Sequence, residues 1–573
     1  MKKGLFIVLC AMLMLSVSYS QSIDLEKIAD IPKAKPFDFG GNISVNGIYY
    51  NGSNASRNPF TFFLQGSASV SLFQQITLPF SFSFTNQGVN YSYPTLPNRF
   101  SLHPTYKGYT LHLGEVNTSF SGYTMSGVPI FGVGFDANEI VPDFPLKVSL
   151  VFGRMQKASE YNPKTPEIAP AYQRLGYGGK LLYSKNRYKI GLTVFGATDR
   201  ANSLKSSLDS LSIRPQQNIV TSLEGSVEVI KNLIVSAEYA ASAICQDLRD
   251  ENKNSGGGNF LKFMYKPSGY TDYFNAVKGG VSYSFFKTSI GVNYERIDPG
   301  YKTLGTYYSN QDLERIALDI SQSLWQDKIS VSGSFGFEHD NLKKVKAEKN
   351  KQFAYALGVN MNFSERFQAN ANYSNFTSHA NIRSQFEDIN NTSILPVIDT
   401  INYMQTSQNA NLTLNYLIQK SDTRTQKVGV NFSFQDAYNH NDGEHETSTS
   451  TQFYNMGANY GLSFPTLKLN ISASYNTSIN MMPNETGVTT GPTLSASYTA
   501  FKSLTTGLIL GCNFLTSNGK TQNSTYNIRF NAAYRLLKRH SFNLSVTEQF
   551  RKRINTKMVS DLTLTVGYVF NFK

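Results

Sequence analysis

Residues 76–85 read ITLPFSFSFT, and this stretch decides the fold class. Every second residue from Ile76 to Phe84 is apolar, whereas the residues between them are Thr, Pro or Ser. Successive side chains of a β-strand point to opposite faces. The stretch therefore predicts a strand with one apolar face and one small, mostly polar face.

The same two-residue period runs through nearly all of the chain after residue 36. It is clear in residues 329–337, 467–476 and 561–573, where apolar residues alternate with Ser, Asn, Lys, Gly or Thr. More than twenty such segments occur. The only short stretch that favours a helix is residues 23–30, before the first predicted strand.

The connections between these predicted strands alternate in length. Short connections at 326–327, 364–366 and 464–466 take turns with longer ones rich in polar residues and Gly, at 245–270, 339–350, 377–402 and 438–448. This alternation is typical of outer-membrane barrels, which have short periplasmic turns and long extracellular loops. We therefore predict an all-β fold: a single large transmembrane antiparallel β-barrel over residues 37–573. Closure leaves no strand edge unpaired in hydrocarbon.

The composition agrees with this prediction. Of 573 residues, 13% are aromatic and only 16% are charged, against about 25% charged in ordinary soluble domains. Disorder is disfavoured because so many aromatic side chains need burial. After residue 20 only Cys245 and Cys512 remain, too few for a disulfide scaffold or a cysteine metal site, and the sequence leaves open whether they pair.

The first twenty residues predict a secretory signal peptide. Lys2 and Lys3 precede an apolar run from Leu5 to Leu15, and small residues stand at Ser18 and Ser20. Residues 21–36 are then a short periplasmic segment. We expect that segment to be too short for the plug domain of TonB-dependent transporters. No run of 18 apolar residues follows, so no transmembrane helix is predicted.

The predicted strand count is 24 or 26, because single-chain bacterial barrels have even numbers. Residues 107–125 cause the difference. They supply two further strands, or they belong to a connection at 87–126 that folds inward as a lumen insert. Larger barrels enclose space that side chains cannot fill. Both interpretations stay open at this point.

One predicted loop, residues 439–446, carries metal-type ligands. His440, Asp442, Glu444 and His445 could offer nitrogen and oxygen ligands to zinc, or oxygens to calcium. The spacing fits no defined motif, and we favour a solvated polar loop. No metal, cofactor or catalytic residue is assigned. The seven His are scattered and accompany no nucleophile motif, so we expect no enzyme activity.

Two basic clusters fall in predicted extracellular loops. They include the candidates for contact with lipopolysaccharide phosphates, which cationic side chains bind electrostatically: Lys343, Lys344, Lys346, Arg551, Lys552 and Arg553. The formal charge of +13 does not call for nucleic acid in a secreted barrel. Expected partners are outer-membrane lipid, lipopolysaccharide and, as an open alternative, other envelope proteins.

The last predicted strand resembles the assembly signal of bacterial outer-membrane barrels, because its apolar residues alternate and end at Phe570 and Phe572. The cleavage context Ser18-Tyr19-Ser20-Gln21, the many Asn, Tyr and Phe residues and this ending resemble outer-membrane barrels of Bacteroidota. The resemblance implies a bacterial outer-membrane location. We predict a passive or gated channel for polar solutes. The alternative is a non-transporting interaction or assembly subunit of an envelope secretion or motility machine.

Overall fold

The computed structural model describes most of the predicted barrel region. The described residues are 36–53, 59–86, 99–138, 145–161, 170–206, 208–249, 271–344, 351–375, 378–381, 403–406, 408–437, 440–441, 444–445, 451–501 and 503–572. The predicted signal peptide and residues 21–35 lie outside this set. Among the described residues, no helix is long and apolar enough to cross a membrane.

Strands make up nearly all of the described chain. The first thirteen are β1 (Phe37–Asn51), β2 (Phe60–Leu72), β3 (Ile76–Thr85), β4 (Arg99–Leu102 continued by Thr105–Tyr106), β5 (Tyr109–Val116), β6 (Ile130–Asn138), β7 (Leu146–Gln156), β8 (Gln173–Lys185), β9 (Tyr188–Arg200), β10 (Gln217–Ile230), β11 (Leu233–Cys245), β12 (Thr271–Phe285) and β13 (Thr288–Ile297). The next thirteen are β14 (Leu313–Leu324), β15 (Ile329–His339), β16 (Lys351–Ser364), β17 (Phe367–Ser374), β18 (Gln408–Lys420), β19 (Thr425–Ala437), β20 (Thr451–Phe464), β21 (Leu469–Met482), β22 (Glu485–Ala500), β23 (Leu504–Ser517), β24 (Lys520–Leu536), β25 (His540–Arg553) and β26 (Val559–Phe572).

These strands form one closed antiparallel ring. Each strand pairs with its neighbours in the chain, and β26 pairs with β1 from Gly41 opposite Phe572 to Asn51 opposite Leu562. At this seam Tyr50 Oη donates to Asp561 Oδ1 at 2.8 Å, and the backbone N–H of Ser53 donates to the same oxygen at 2.6 Å. The described residues therefore form a closed barrel of 26 strands, at the upper end of the predicted range.

The connection predicted at residues 87–126 contributes two strands to the wall, of which only β5 lies within residues 107–125. β4 pairs with β3 and with β5, and β5 pairs with β6. Residues 99–116 therefore lie in the wall, which gives 26 strands rather than 24. Residues 87–98 lie outside the described residues, and only residues 117–126 of the 87–126 segment leave the wall within the described part.

The strand bounds separate the two ends of the barrel. At one end, which we call the turn end, the connections are two to seven residues long. At the other, the loop end, they range from two residues at 483–484 to 33 at 375–407. Asn186 and Asn232, in two-residue connections of the turn end, have φ of 50° and 68°. Asparagine tolerates this left-handed backbone and so suits such turns.

The two faces of the wall differ in chemistry, as β26 illustrates. Asp561, Thr563 and Thr565 are buried, whereas Val566 on the opposite face is 52% exposed. The exposed apolar face is the outer one, and the small polar residues point into the barrel. No disulfide joins Cys245 in β11 to Cys512 in β23.

Candidate functional site: two segments inside the barrel

A connection of the loop end, residues 117–129, folds back against the inner face of the wall. We call it the first interior segment. Its Phe120 is 7% exposed, and Lys180 Nζ of β8 donates to the Phe120 carbonyl at 2.9 Å. A Cβ on Gly178 would lie 2.7 Å from the Phe120 ring. The glycine in β8 thus makes room for the ring.

Residues 298–312, the second interior segment, pack against the first. Met125–Ser126 and Gly305–Thr306 form a two-residue parallel ladder. Thr303 Oγ1 donates to the Thr124 carbonyl at 2.6 Å, and Tyr301 Oη donates to the Tyr123 carbonyl at 2.7 Å. Two connections that leave the wall eight strands apart, after β5 and after β13, are thereby joined inside the barrel.

The interior segments share two apolar cores with the wall. The first core consists of Val116, Phe120, Met125, Val128, Ile130, Val151, Met155, Phe195, Ala197 and Leu304. The second consists of Tyr123, Val220, Ala240, Ala276, Ile297 and Tyr301. Apolar side chains at inward positions of β7–β13 therefore bind the segments by the hydrophobic effect.

Buried polar contacts fix the second segment. Asn218, 1% exposed, donates from Nδ2 to Ser242 Oγ at 2.9 Å and accepts the backbone N–H of Leu304 at 3.1 Å. Ser242 Oγ donates to the Lys302 carbonyl at 2.6 Å. These bonds satisfy backbone groups that would otherwise be buried without partners, which would cost about 1–3 kcal/mol each.

Two buried tyrosines stay protonated in this arrangement. Tyr123 Oη hydrogen-bonds Glu295 of β13. Burial, and next the negative charge of Glu295, raise the pKa of Tyr123. Burial also raises the pKa of Tyr301, with a smaller contribution from Glu238. Both hydroxyls are therefore donors near neutral pH.

Two ion pairs lie beneath the segments. Lys180 Nζ lies 2.8 Å from Glu224 Oε1, and Arg174 Nε lies 2.7 Å from Asp199 Oδ1, whose carboxylate is nearly buried. Each pair leaves little net field at its own position on the wall.

A second inner surface lies on β1–β5, around a cavity of about 660 Å³. His103 Nδ1 lies 2.8 Å from His112 Nδ1, and His112 Nε2 lies 2.7 Å from Asp136 Oδ2. When His112 Nε2 donates to Asp136, His112 Nδ1 accepts a hydrogen bond from the Nδ1–H of His103. Arg99 pairs with Glu115 at 3.3 Å beside them. Sequence reasoning included His112 in residues 107–125, for which wall strands and a lumen insert both stayed open, and it missed this chain of three groups.

The structure describes part of the predicted metal loop. The backbone of His440–Asn441 pairs with that of Glu444–His445, with His440 opposite His445. Asp442 lies outside the described residues. Within the described part of the chain, no group of three or more His, Cys, Asp or Glu residues could hold a metal ion.

The predicted lipopolysaccharide contacts are spread around the barrel. Lys343 Nζ lies 5.3 Å from the centroid of the Phe274 ring, Lys344 follows in the loop after β15, and Lys346 lies outside the described residues. Arg551 pairs with the buried carboxylate of Asp561 on the inner face. Lys552 and Arg553 are exposed at the end of β25. The two clusters do not form one patch in the described part of the chain.

No family model and no curated protein matches the chain. Its fold is that of a closed antiparallel β-barrel, and it is similar in outline to several solved structures. The P pilus usher (PapC) translocation pore has 10% identity and a TM-score of 0.36, over 93% of this chain and 99% of that one. The ferric enterobactin receptor (PfeA) mutant from Pseudomonas aeruginosa has 9% sequence identity and a TM-score of 0.38, and the match covers 93% of this chain and 80% of that one. The E. coli P pilus tip assembly intermediate PapC-PapD-PapK-PapG has 12% sequence identity and a TM-score of 0.42, and the match covers 93% of this chain and 61% of that one. With TM-scores below 0.5, these likenesses carry no functional inference.

Proposed function

We propose that the protein is an outer-membrane channel for polar solutes whose lumen is narrowed by the two interior segments. The observation that supports this proposal most directly is the closed 26-strand ring, which has an exposed apolar outer face and a polar inner face. Such a wall satisfies its backbone in lipid while it encloses a wet interior. The proposal puts the turn end in the periplasm and the loop end outside the cell.

The chemistry of the inner surface favours uncharged or weakly charged polar solutes as the molecules that pass through the channel. A cavity of about 480 Å³ is lined mainly by Ser, Asn and Gly of β12–β18, including Ser282, Asn293 and Ser332. Hydroxyl and amide groups exchange hydrogen bonds with polar solutes of either sign of charge. The one carboxylate among the described lining residues, Asp319, accepts a hydrogen bond from Asn293 Nδ2. The proposal contains no catalytic step and no cofactor.

A planar-bilayer recording tests the proposal. Wild-type protein is compared with a variant in which residues 119–127 are replaced by a Gly/Ser linker of equal length, which removes Phe120, Tyr123 and Met125. We expect steady openings in the wild type and a larger conductance in the variant. A matched control replaces residues 554–558, another loop-end connection, and keeps the wild-type conductance.

Silence of every variant, in preparations whose folding is verified by heat-modifiable gel migration, would contradict the channel. It would favour the second candidate, an assembly or interaction subunit of an envelope machine. The observation that supports this candidate is the firm packing of the interior segments, with Met125 and Phe195 fully buried. Co-purified envelope proteins would then identify its partners.

A further inference from the structure

The outer face of β7–β9 carries a cluster of cations at the loop end. Arg154 and Arg200 share the outer face with Phe152 and Leu192, which are 56% and 46% exposed. Gln173 of β8 lies directly opposite Arg200 in the strand register and accepts from Arg200 Nη1 at 3.2 Å. Lys157 follows the end of β7. The cluster therefore faces away from the lumen.

These side chains line a groove of about 700 Å³. Its lining consists of Arg154, Lys157, Gln173, Arg200, Asn202 and Ser203, with two alanines. The groove thus offers two guanidinium groups, an ammonium group, two amides and a hydroxyl, and none of the described residues that line it carries a carboxylate. Such donors match the oxygens of a phosphate group.

The cations of the groove have no acidic partner among the described residues. In the described part of the chain, none of Arg154, Lys157 and Arg200 lies within ion-pair distance of a carboxylate, whereas Arg174 of the same sector pairs with Asp199 on the inner face. Arg154 lies over the Phe131 ring, with its guanidinium carbon 5.4 Å from the ring centroid. This stacking holds one guanidinium at the edge of the apolar face.

We propose that this groove binds the phosphate of an anionic lipid headgroup in the outer leaflet. The occupant is a lipid rather than a free anion because the exposed apolar side chains of Phe152, Tyr177 and Leu192 continue from the cations toward the middle of the barrel. Acyl chains would cover these side chains while the phosphate contacts the cations. The inference rests on the proposed outer-membrane function and names residues other than the two sequence-predicted basic clusters.

Binding of lipid A to the detergent-purified protein, measured by native mass spectrometry, tests the proposal. The probes are bisphosphorylated lipid A, the same lipid without phosphates, and inorganic phosphate as a competitor. The variant is Arg154→Gln/Lys157→Gln/Arg200→Gln. The matched control, Lys231→Gln/Lys538→Gln/Arg539→Gln, removes three cations from the turn end. Lys157→Gln alone lies beyond the end of β7 and serves if the triple variant fails to fold.

We expect the triple variant to bind bisphosphorylated lipid A about tenfold more weakly or worse, since one charged hydrogen bond contributes roughly this factor. The control and the phosphate-free lipid with either protein show no such change. Equal binding of both lipids by the wild type, or unchanged binding by the variant, would overturn the proposal. Displacement by equimolar inorganic phosphate would assign the groove to free anions instead. Heat-modifiable migration and bilayer insertion are scored in parallel, so failure of the membrane assignment is recognised separately.

Discussion

Strands β7–β13, which we call the filled sector, and strands β20–β26, the polar sector, follow the same alternation of inward and outward residues. The side chains on their inner faces differ in polarity. In β7–β13 the buried inward residues include Phe195, Ala197, Val220, Ala240 and Ala276. In β20–β26 they include Asn455, Asn476, Asn513, Thr547 and Thr563. The first sector binds the two interior segments. The second bonds side chain to side chain across neighbouring strands, as Ser545 Oγ does in donating to Asn531 Oδ1 at 2.7 Å.

This comparison indicates what lets a connection fold into a barrel. Small or apolar inward residues leave a surface that a loop can cover with its own apolar side chains. Amides and hydroxyls bond to one another or to water, and either contact is more favourable for them than an apolar loop. The polarity of the inward residues therefore determines which sector of the wall binds a connection inside the barrel.

The largest expected effect on stability is that of Phe195→Ala. Phe195 is fully buried in the first core, and truncating such a side chain costs about 3–5 kcal/mol. We expect a clear drop in urea resistance and faster hydrogen exchange in residues 117–129. Thr547→Ala, at an inward position of the polar sector, is the matched control. An equal loss of stability to urea in both variants would contradict the proposed difference between the two sectors.

Asn218→Ala is expected to have the next largest effect. It leaves the buried N–H of Leu304 without its acceptor, at a cost of about 1–3 kcal/mol. Hydrogen exchange read by mass spectrometry should rise in residues 298–312. Asn476→Ala, in the polar sector, should leave exchange in that segment unchanged. Protection that survives in Asn218→Ala would show that the apolar core alone holds the segment.

Alkaline pH is expected to weaken the first sector selectively. The pKa of Tyr123 and that of Tyr301 are raised above the ordinary value of 10.0. Their contribution to stability is therefore complete below pH 10 and falls as the pH rises, by at most about 1.4 kcal/mol per pH unit for each tyrosine. Urea unfolding between pH 8 and 12 measures this slope. The Tyr123→Phe/Tyr301→Phe variant should flatten it, whereas Tyr308→Phe should not.

The smallest effect is expected from Ser545→Ala. The variant loses one hydrogen bond to Asn531, at a net cost of about 0.5–1.5 kcal/mol. Urea unfolding measures the change. A cost as large as that of Phe195→Ala would mean that the polar sector is as tightly packed as the filled one.

Most strand positions could be predicted from the sequence, since the two-residue period and the polar turns are local signals. The four longer connections predicted at 245–270, 339–350, 377–402 and 438–448 each begin and end within five residues of the observed ones. The largest difference is at the end of the third connection. Tyr403–Thr406 has the strand pattern but pairs with Ser378–Asn381 outside the ring, and β18 begins at Gln408. Alternation identifies a strand but not its partner.

Of the two interior segments bound to β7–β13, only the first could be predicted from the sequence. Residues 117–126 fall within the segment proposed to fold inward, but the second interior segment was missed. Its signal was present as Tyr301, Leu304 and Tyr307 in a loop-end connection, opposite an inner face with Ala240 and Ala276. Sequence alone does not join these positions, because the strand register between β10 and β12 sets which small residues meet the loop.

The His103–His112–Asp136 chain was missed for a similar reason. β4 is interrupted between Leu102 and Thr105, and the hairpin with β5 places His103 beside His112. Asp136 comes from the next strand pair, β5–β6. Three strands in one register are needed to bring the groups together. The scattered His residues give no such information in the sequence.

The pairing of β1 with β26 has a consequence for the order of folding. Tyr50 and Asp561, which hydrogen-bond at the seam, are 511 positions apart, so this contact closes almost the longest loop that the chain can make. Contacts of such separation form slowly. Until they form, the nascent sheet has two unpaired edges that can pair with other chains and aggregate. The period before β1 and β26 pair is therefore the one in which we expect this chain to be most prone to aggregation.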